Sequence, residues 1–250
     1  MHRDKITDFL KKLLKPELFK DYAPNGLQVE GKEEVKKLIT GVTGCVELFQ
    51  NAIEKQADGI LVHHGIIWNF ERPVYKGAYR QRVKLLLEND INLWGFHLPV
   101  DAHEKYGNNA LLAEFFELQE IESFGEYNGS KIGMKGKAKV SEPEYYFAKV
   151  KKELNPNAVI LPYGKQKIQT IGIISGGAQK EFGQAVDENI DLYITGEISE
   201  YNLHMAKEEK VHFIAAGHHV TERFGVRRIG ELLQQELGLI VEFVDIPNPA

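Results

Sequence analysis

The sequence predicts an α/β protein built as two similar α/β lobes from an internal duplication, with mainly parallel sheets. Three observations carry this. Short apolar runs alternate with amphipathic stretches of helical spacing, the same order occurs twice, and polar clusters of matching kind follow corresponding runs.

Taken in order, residues 1–14 alternate charged and apolar side chains at helical spacing. They lack the uninterrupted apolar core and small-residue cleavage site of a signal peptide. Residues 37–42, 59–62 and 91–96 read as buried strands, and residues 47–56 and 80–89 between them as helices. The pattern returns with strands at 170–174, 191–194 and 211–215. Thr43-Gly44-Cys45 matches Ser175-Gly176-Gly177, residues 58–64 match 191–197, and residues 97–101 match 218–222, at offsets of 132 (175 − 43), 133 (191 − 58) and 121 (218 − 97). The boundaries that follow are a first lobe over residues 1–121, an accessory segment over 122–167 and a second lobe over 168–250. In the accessory segment Gly125, Gly129, Gly133 and Gly136 interrupt charged sequence and predict short strands and turns, with a helix end over 149–154.

Composition narrows the function. A hydrophobic content of 43%, a charged content of 27% and a net charge of −5 are those of a globular protein without a basic nucleic-acid footprint. No apolar run approaches the roughly 20 residues of a membrane span. Cys45 is the one cysteine, which excludes an internal disulfide and a Cys-rich zinc site and suits a reducing compartment, the cytoplasm.

The chemistry-bearing residues gather after the predicted strands, where open α/β sheets collect ligands. His63 and His64 end one strand. Because neighbouring strand residues face opposite ways, both reach one site only if the strand has ended and Gly65 turns the chain. His97-x-x-x-Asp101 and His218-x-x-x-Glu222 each offer an imidazole and a carboxylate. Such a set suits two divalent ions about 3.5–4 Å apart with a carboxylate between them, in the cleft between the lobes. Nitrogen and oxygen donors fit iron, zinc, manganese, cobalt or nickel without choosing among them. His97 or Glu197 could move the proton in a hydrolysis. His103, His204, His212 and His219 read as ordinary hydrogen-bonded or surface imidazoles. Trp68, Phe70 and Tyr75 follow the double histidine and could wall a pocket. Ser175-Gly176-Gly177 could cradle a phosphate through backbone amides, with turn formation as its other role. A P-loop and a G-x-S-x-G nucleophile elbow are both absent from the sequence.

Asp21-Tyr22-Ala23-Pro24-Asn25-Gly26, Val62-His63-His64-Gly65, His97-Leu98-Pro99-Val100-Asp101, Ile194-Thr195-Gly196-Glu197 and Gly217-His218-His219-Val220-Thr221-Glu222 resemble the GTP cyclohydrolase I type 2 family, the Nif-three-like dinuclear metal-centre proteins. The resemblance runs nearly end to end and looks closest to the YbgI-type bacterial members. It implies metal ligands at His63, His64, Asp101, His218 and Glu222, with Glu222 bridging and His97 as ligand or supporting partner. It also implies a homohexameric ring and a small-molecule substrate such as a nucleotide, opened hydrolytically at the purine imidazole carbon. Two other readings use the same residues: a metal carrier or chaperone, and a ring-shaped interaction scaffold without turnover.

Overall fold

The computed structural model describes residues 1–70, 72 and 74–250. In chain order the elements begin with α1 (Arg3–Leu14), β1 (Gly26–Val29), β2 (Lys37–Thr43), α2 (Val46–Glu54), β3 (Gly59–His64), α3 (Gly77–Glu88), β4 (Asn92–Gly95) and α4 (Leu98–Ala102). They continue with α5 (Asn108–Phe115), β5 (Gln119–Tyr127), β6 (Ser130–Lys137), α6 (Pro143–Lys149), a π-helical turn over Val150–Leu154 and β7 (Val159–Leu161). Next come β8 (Thr170–Ile173), α7 (Phe182–Asp187), β9 (Leu192–Thr195) and α8 (Glu200–Glu209). The last are β10 (His212–Ala215), α9 (His218–Thr221), α10 (Arg223–Leu237) and β11 (Ile240–Phe243).

The chain forms two compact units, one of Met1–Val100 with Gly225–Pro247, the other of Asp101–Phe224 with Asn248–Ala250. This division differs from the segments 1–121, 122–167 and 168–250 expected from sequence. The reason is strand pairing: β11, at the end of the chain, lies parallel to β2 and belongs to the first sheet. Residues 122–167 in turn supply strands to the second sheet.

In the first unit the sheet runs β1-β4-β3-β2-β11. β2, β3, β4 and β11 are parallel, and β1 is antiparallel on the edge beside β4. The strand residues alternate between two cores, as a period of two demands. Leu38, Leu61 and Trp94 join Ile6, Leu10, Val226 and Ile229 of α1 and α10, whereas Ile39, Ile60, Val62 and Leu93 join Leu48, Phe49 and Leu86 of α2 and α3. Trp94 is fully buried, and its indole N–H donates to Thr7 Oγ1 at 2.8 Å.

In the second unit the order is β5-β6-β8-β9-β10-β7. β8, β9 and β10 are parallel, while β5, β6 and β7 join antiparallel, so this sheet is mixed where the first is mainly parallel. Ile171, Ile173, Leu192, Ile194 and Ile214 pack with Leu112, Phe116, Tyr146 and Val150. Phe124, Tyr193 and Phe213 of β5, β9 and β10 form an aromatic cluster with Phe182 of α7.

The duplication is visible at atomic detail. β2, β3, β4 and α4 recur as β8, β9, β10 and α9, and each set carries an antiparallel edge strand, β1 beside β4 and β7 beside β10. Asp58 opens β3 by accepting the Lys36 and Lys37 N–H groups and the Lys32 ammonium; Asp191 opens β9 by accepting the Gln169 and Thr170 N–H groups and the Lys165 ammonium. The Asn92 amide accepts from Gly31 N–H and donates to Lys32 O, while the His212 ring accepts from Gly164 N–H through Nδ1 and lies 2.8 Å from Lys165 O through Nε2. His212 is thus a structural imidazole, as the sequence suggested.

Candidate metal centre

The first group of ligand-type residues lies in the first unit. β3 continues through His64 instead of ending before it, with Thr43 of β2 paired to His64. The expected turn at Gly65 is therefore not what unites the two imidazoles. At the end of the strand the rings of His63 and His64 still stand 4.6 Å apart, and His97, just before α4, brings its ring within 5.0 Å of His63. Ligand nitrogens of His63, His64 and His97 all lie within 4.8 Å of one another.

The hydrogen bonds fix which nitrogen each ring presents. His63 is fully buried, and its Nδ1 is 3.2 Å from Phe96 O, an oxygen that can only accept. Nδ1 therefore carries the proton, and the ring's lone pair lies on Nε2. His97 Nδ1 is 2.9 Å from Asp21 Oδ1. Asp21 is itself held by Asn25 Nδ2 at 3.0 Å and Leu98 N–H at 3.0 Å. Burial pushes the Asp21 carboxyl up, but its bond to His97, the charge there, and the Asn25 and Leu98 donors outweigh it and bring it down to about 2. His64 Nδ1 lies 3.1 Å from Thr43 Oγ1.

Behind these rings Gln28 fills a slot that glycines create. Its Oε1 accepts from Ile66 N–H at 2.9 Å, and a Cβ on Gly65 or Gly95 would strike its amide. In front stand aromatic rings. Trp68 is edge-on to His97 at 5.4 Å and 5.9 Å from His64, with Tyr22 5.3 Å from His97. Phe70 stacks on Trp68, whereas Tyr75 pairs with Tyr79 at 5.5 Å.

The second group lies in the second unit. Asp101 Oδ1 accepts from Asn108 Nδ2 at 2.8 Å and Ser175 Oγ at 2.9 Å, which directs the carboxylate. Asp101 and Glu222 carry ligand oxygens within 4.8 Å of one another. Glu222 Oε2 is 3.1 Å from His218 Nε2, and His218 Nδ1 is 2.6 Å from Glu197 Oε1. Gln179 Nε2 donates to the other Glu197 oxygen at 3.2 Å. Burial lowers the His218 pKa, but hydrogen bonds and charge from Glu222 and Glu197 more than reverse this, raising it to about 9. Gly176 has φ +67°, and a Cβ there would collide with Glu222 Oε1 and lie 3.2 Å from His218 Nε2. Glycine at this turn makes room for the carboxylate.

Every residue singled out for metal or proton transfer thus falls into one of these two groups: His63, His64 and His97 in the first, and Asp101, His218, Glu222 and Glu197 in the second. The phosphate-cradle reading of Ser175-Gly176-Gly177 is not supported. Ser175 N–H donates to Asn109 Oδ1 at 2.7 Å and Gly176 N–H to Thr221 Oγ1 at 3.0 Å, so two of the amides are committed. Sequence reasoning passed over Asp21, Asn108 and Gln179 as individual residues. Asp21 stood inside a quoted motif, but its partner His97 is 76 positions away.

The donor set fits divalent metal. Ligand-type side chains gather within each unit, and His63, His97 and His218 each engage Nδ1 with a carbonyl or carboxylate, the outer support that metal-binding histidines usually have.

This fold and these groups define a family of proteins with candidate metal-ligating histidine and acidic clusters, and the comparisons say which. The chain belongs to the Duf34/NIF3 (NGG1p interacting factor 3) family, whose profile matches residues 1–249. It is 44% identical over 252 residues to a GTP cyclohydrolase 1 type 2 homolog of Haemophilus influenzae, covering 100% of both chains. It is 40% identical over 260 residues to the Escherichia coli K12 protein of the same description, again over 100% of both. A solved structure described as protein ybgI, of unknown function, matches with a TM-score of 0.93 at 41% identity, covering 100% of both chains. The TTHA1606 structure from Thermus thermophilus matches at 0.91 with 29% identity over 100% of both.

Proposed function

We propose that the chain binds two divalent ions through His63, His64, Asp101, His218 and Glu222, with Glu222 as the bridge, and hydrolyses a nucleotide or related heterocycle. The observation that carries this reading is the pair of largely buried donor groups, each supported by oriented hydrogen bonds and, at Gly176, by a glycine whose Cβ would displace a ligand. The GTP cyclohydrolase description of the curated relatives supplies the substrate class.

When bound, the ions would supply Lewis-acid activation of water and of the electrophilic carbon. The chain's residues do the rest. Asp21 holds His97 by its Nδ1, so Nε2 is the atom that accepts or returns a proton. Glu197, steadied by Gln179, does the same for His218 and is the second candidate for proton transfer.

A homohexameric ring is the assembly we propose, on the family resemblance, and the cytoplasm is the compartment that a single cysteine suits. Among the described residues no helix is long and apolar enough to cross a membrane.

Purified protein loaded with each candidate metal and incubated with a panel of nucleotides, with products detected by mass, tests the reading. Ring-opened product that disappears in Glu222→Ala supports it. Tight metal binding without turnover of any nucleotide would replace it with the carrier or scaffold reading.

A further inference from the structure

Beside the histidines of the first unit lies a set of aromatic rings that metal binding does not explain. Trp68 and Phe70 are stacked, with centroids 5.6 Å apart and planes within 25°, and Tyr22 closes the set at 6.0 Å from Trp68 and 5.9 Å from Phe70. Phe70 is 69% exposed, and Trp68 is half-buried. The segment is anchored at both ends of this stretch: Ile66 N–H donates to Gln28 at 2.9 Å, and Asn69 N–H to Tyr22 O at 2.9 Å. One exposed and two half-buried aromatic rings, on and beside a segment anchored by backbone hydrogen bonds, with Trp68 edge-on to His97, form a shelf positioned for a ligand that also reaches the histidines.

We propose that Trp68, Phe70 and Tyr22 form a stacking subsite for the planar heteroaromatic ring of the substrate, placing that ring next to His97. The inference rests on the hydrolase reading for its ligand class. Stacking on aromatic side chains recognises any base by its π-face. The shelf therefore selects for a flat ring and leaves the choice among rings to other contacts.

The chain offers its own probe. It has two tryptophans, and Trp94 is fully buried with its indole N–H bonded to Thr7, so ligand-dependent emission reports on Trp68. The experiment titrates GMP, and separately ribose 5-phosphate, into chelator-treated full-length protein while tryptophan emission is read. GMP is expected to quench and ribose 5-phosphate to leave emission unchanged. The quench should vanish in Trp68→Phe, and Phe70→Ala should weaken GMP binding by roughly tenfold. Phe70 is exposed, so its variant tests the shelf even if the tryptophan variant folds poorly. Equal quenching by ribose 5-phosphate, quenching that persists in Trp68→Phe, or no quenching by GMP would overturn the proposal. So would emission that follows protein concentration and not GMP, which would mean that a second copy of the chain covers the shelf. GMP stacking without turnover by metal-loaded protein would defeat the hydrolase reading and leave the shelf standing. Turnover without stacking would do the reverse.

Discussion

At the scale of single residues, the partner that holds each carboxylate and imidazole decides what it can bind. A bridging Glu222 supplies a bond to each ion and a full negative charge that offsets their repulsion. Glu222→Gln keeps the shape but removes the charge, and an amide nitrogen has no useful lone pair for a cation. Loading should therefore fall further in Glu222→Gln than in His63→Ala, which is expected to weaken mainly one ion. Metal-to-protein ratios by elemental analysis, with circular dichroism as the folding control, distinguish the two, and near-normal loading of Glu222→Gln would remove the bridge. Gly176→Ala should lower loading as well, because its Cβ would occupy the space of Glu222 Oε1 and its backbone sits at φ +67°. If Gly176→Ala loads metal like the parent chain, the space that Gly176 leaves for Glu222 has no part in binding. The ligand-type residues were legible in the sequence because they recur at corresponding strand ends. Asp21, Asn108, Ser175 Oγ and Gln179 were not recognised in their supporting roles, since their partners are set by tertiary folding.

At the scale of elements, the paired aspartates that open β3 and β9 are the sharpest sign of duplication. For Asp58 burial opposes ionisation, but the Lys32 ammonium and the Lys36 and Lys37 N–H groups outweigh it and hold the carboxyl below 3.8. Asp191 is lowered in the same way against burial by Lys165, Gln169 and Thr170. A carboxyl depressed in the folded state stabilises fully above its unfolded value of 3.8 and loses that contribution as pH falls through the lower folded value. Asp58→Asn and Asp191→Asn should each cost about 1–3 kcal/mol at neutral pH, as expected for hydrogen bonds to a charged acceptor. The difference from the parent chain should shrink in strong acid. Urea unfolding at pH 7 and pH 3 measures this, and a difference independent of pH would contradict it. The three core strands of each repeat and the two helices between the strands of the first were legible from apolar periodicity, whereas α7, α8 and α10 were not read. The 119–137 hairpin was anticipated only as short strands and turns, although Asn128 and Gly129 sit at φ +51° and φ +86° in the two-residue turn that an Asn-Gly pair favours. Glycines read there as interruptions, whereas Gly133 and Gly136 sit within β6, where a Cβ would meet backbone oxygens of Ile173 and Gln119.

At the scale of the whole molecule, fold class and duplication were legible, but the unit boundaries were not. Strand order along the chain does not reveal that β11 returns to β2. Each unit has its own apolar core, so ligand substitutions are expected to leave both folded. Light scattering should give six chains per particle, and a stable monomer would exclude the ring. Metal occupancy should fall as pH drops, because the imidazoles must be neutral to bind and His218, raised to about 9 by Glu222 and Glu197 in the absence of metal, makes protons compete already at neutral pH. Flat occupancy on dialysis from neutral to mildly acidic buffer would argue against histidine ligation. His63 and His64 are proposed to act with Asp101, His218 and Glu222 on two ions. Anomalous diffraction from crystals of zinc-loaded protein tests this most directly. Two zinc peaks per chain are expected, with ligand atoms of these five residues at about 2.0–2.2 Å and Glu222 touching both. A single peak, or zinc held elsewhere with these side chains uncoordinated, would contradict it.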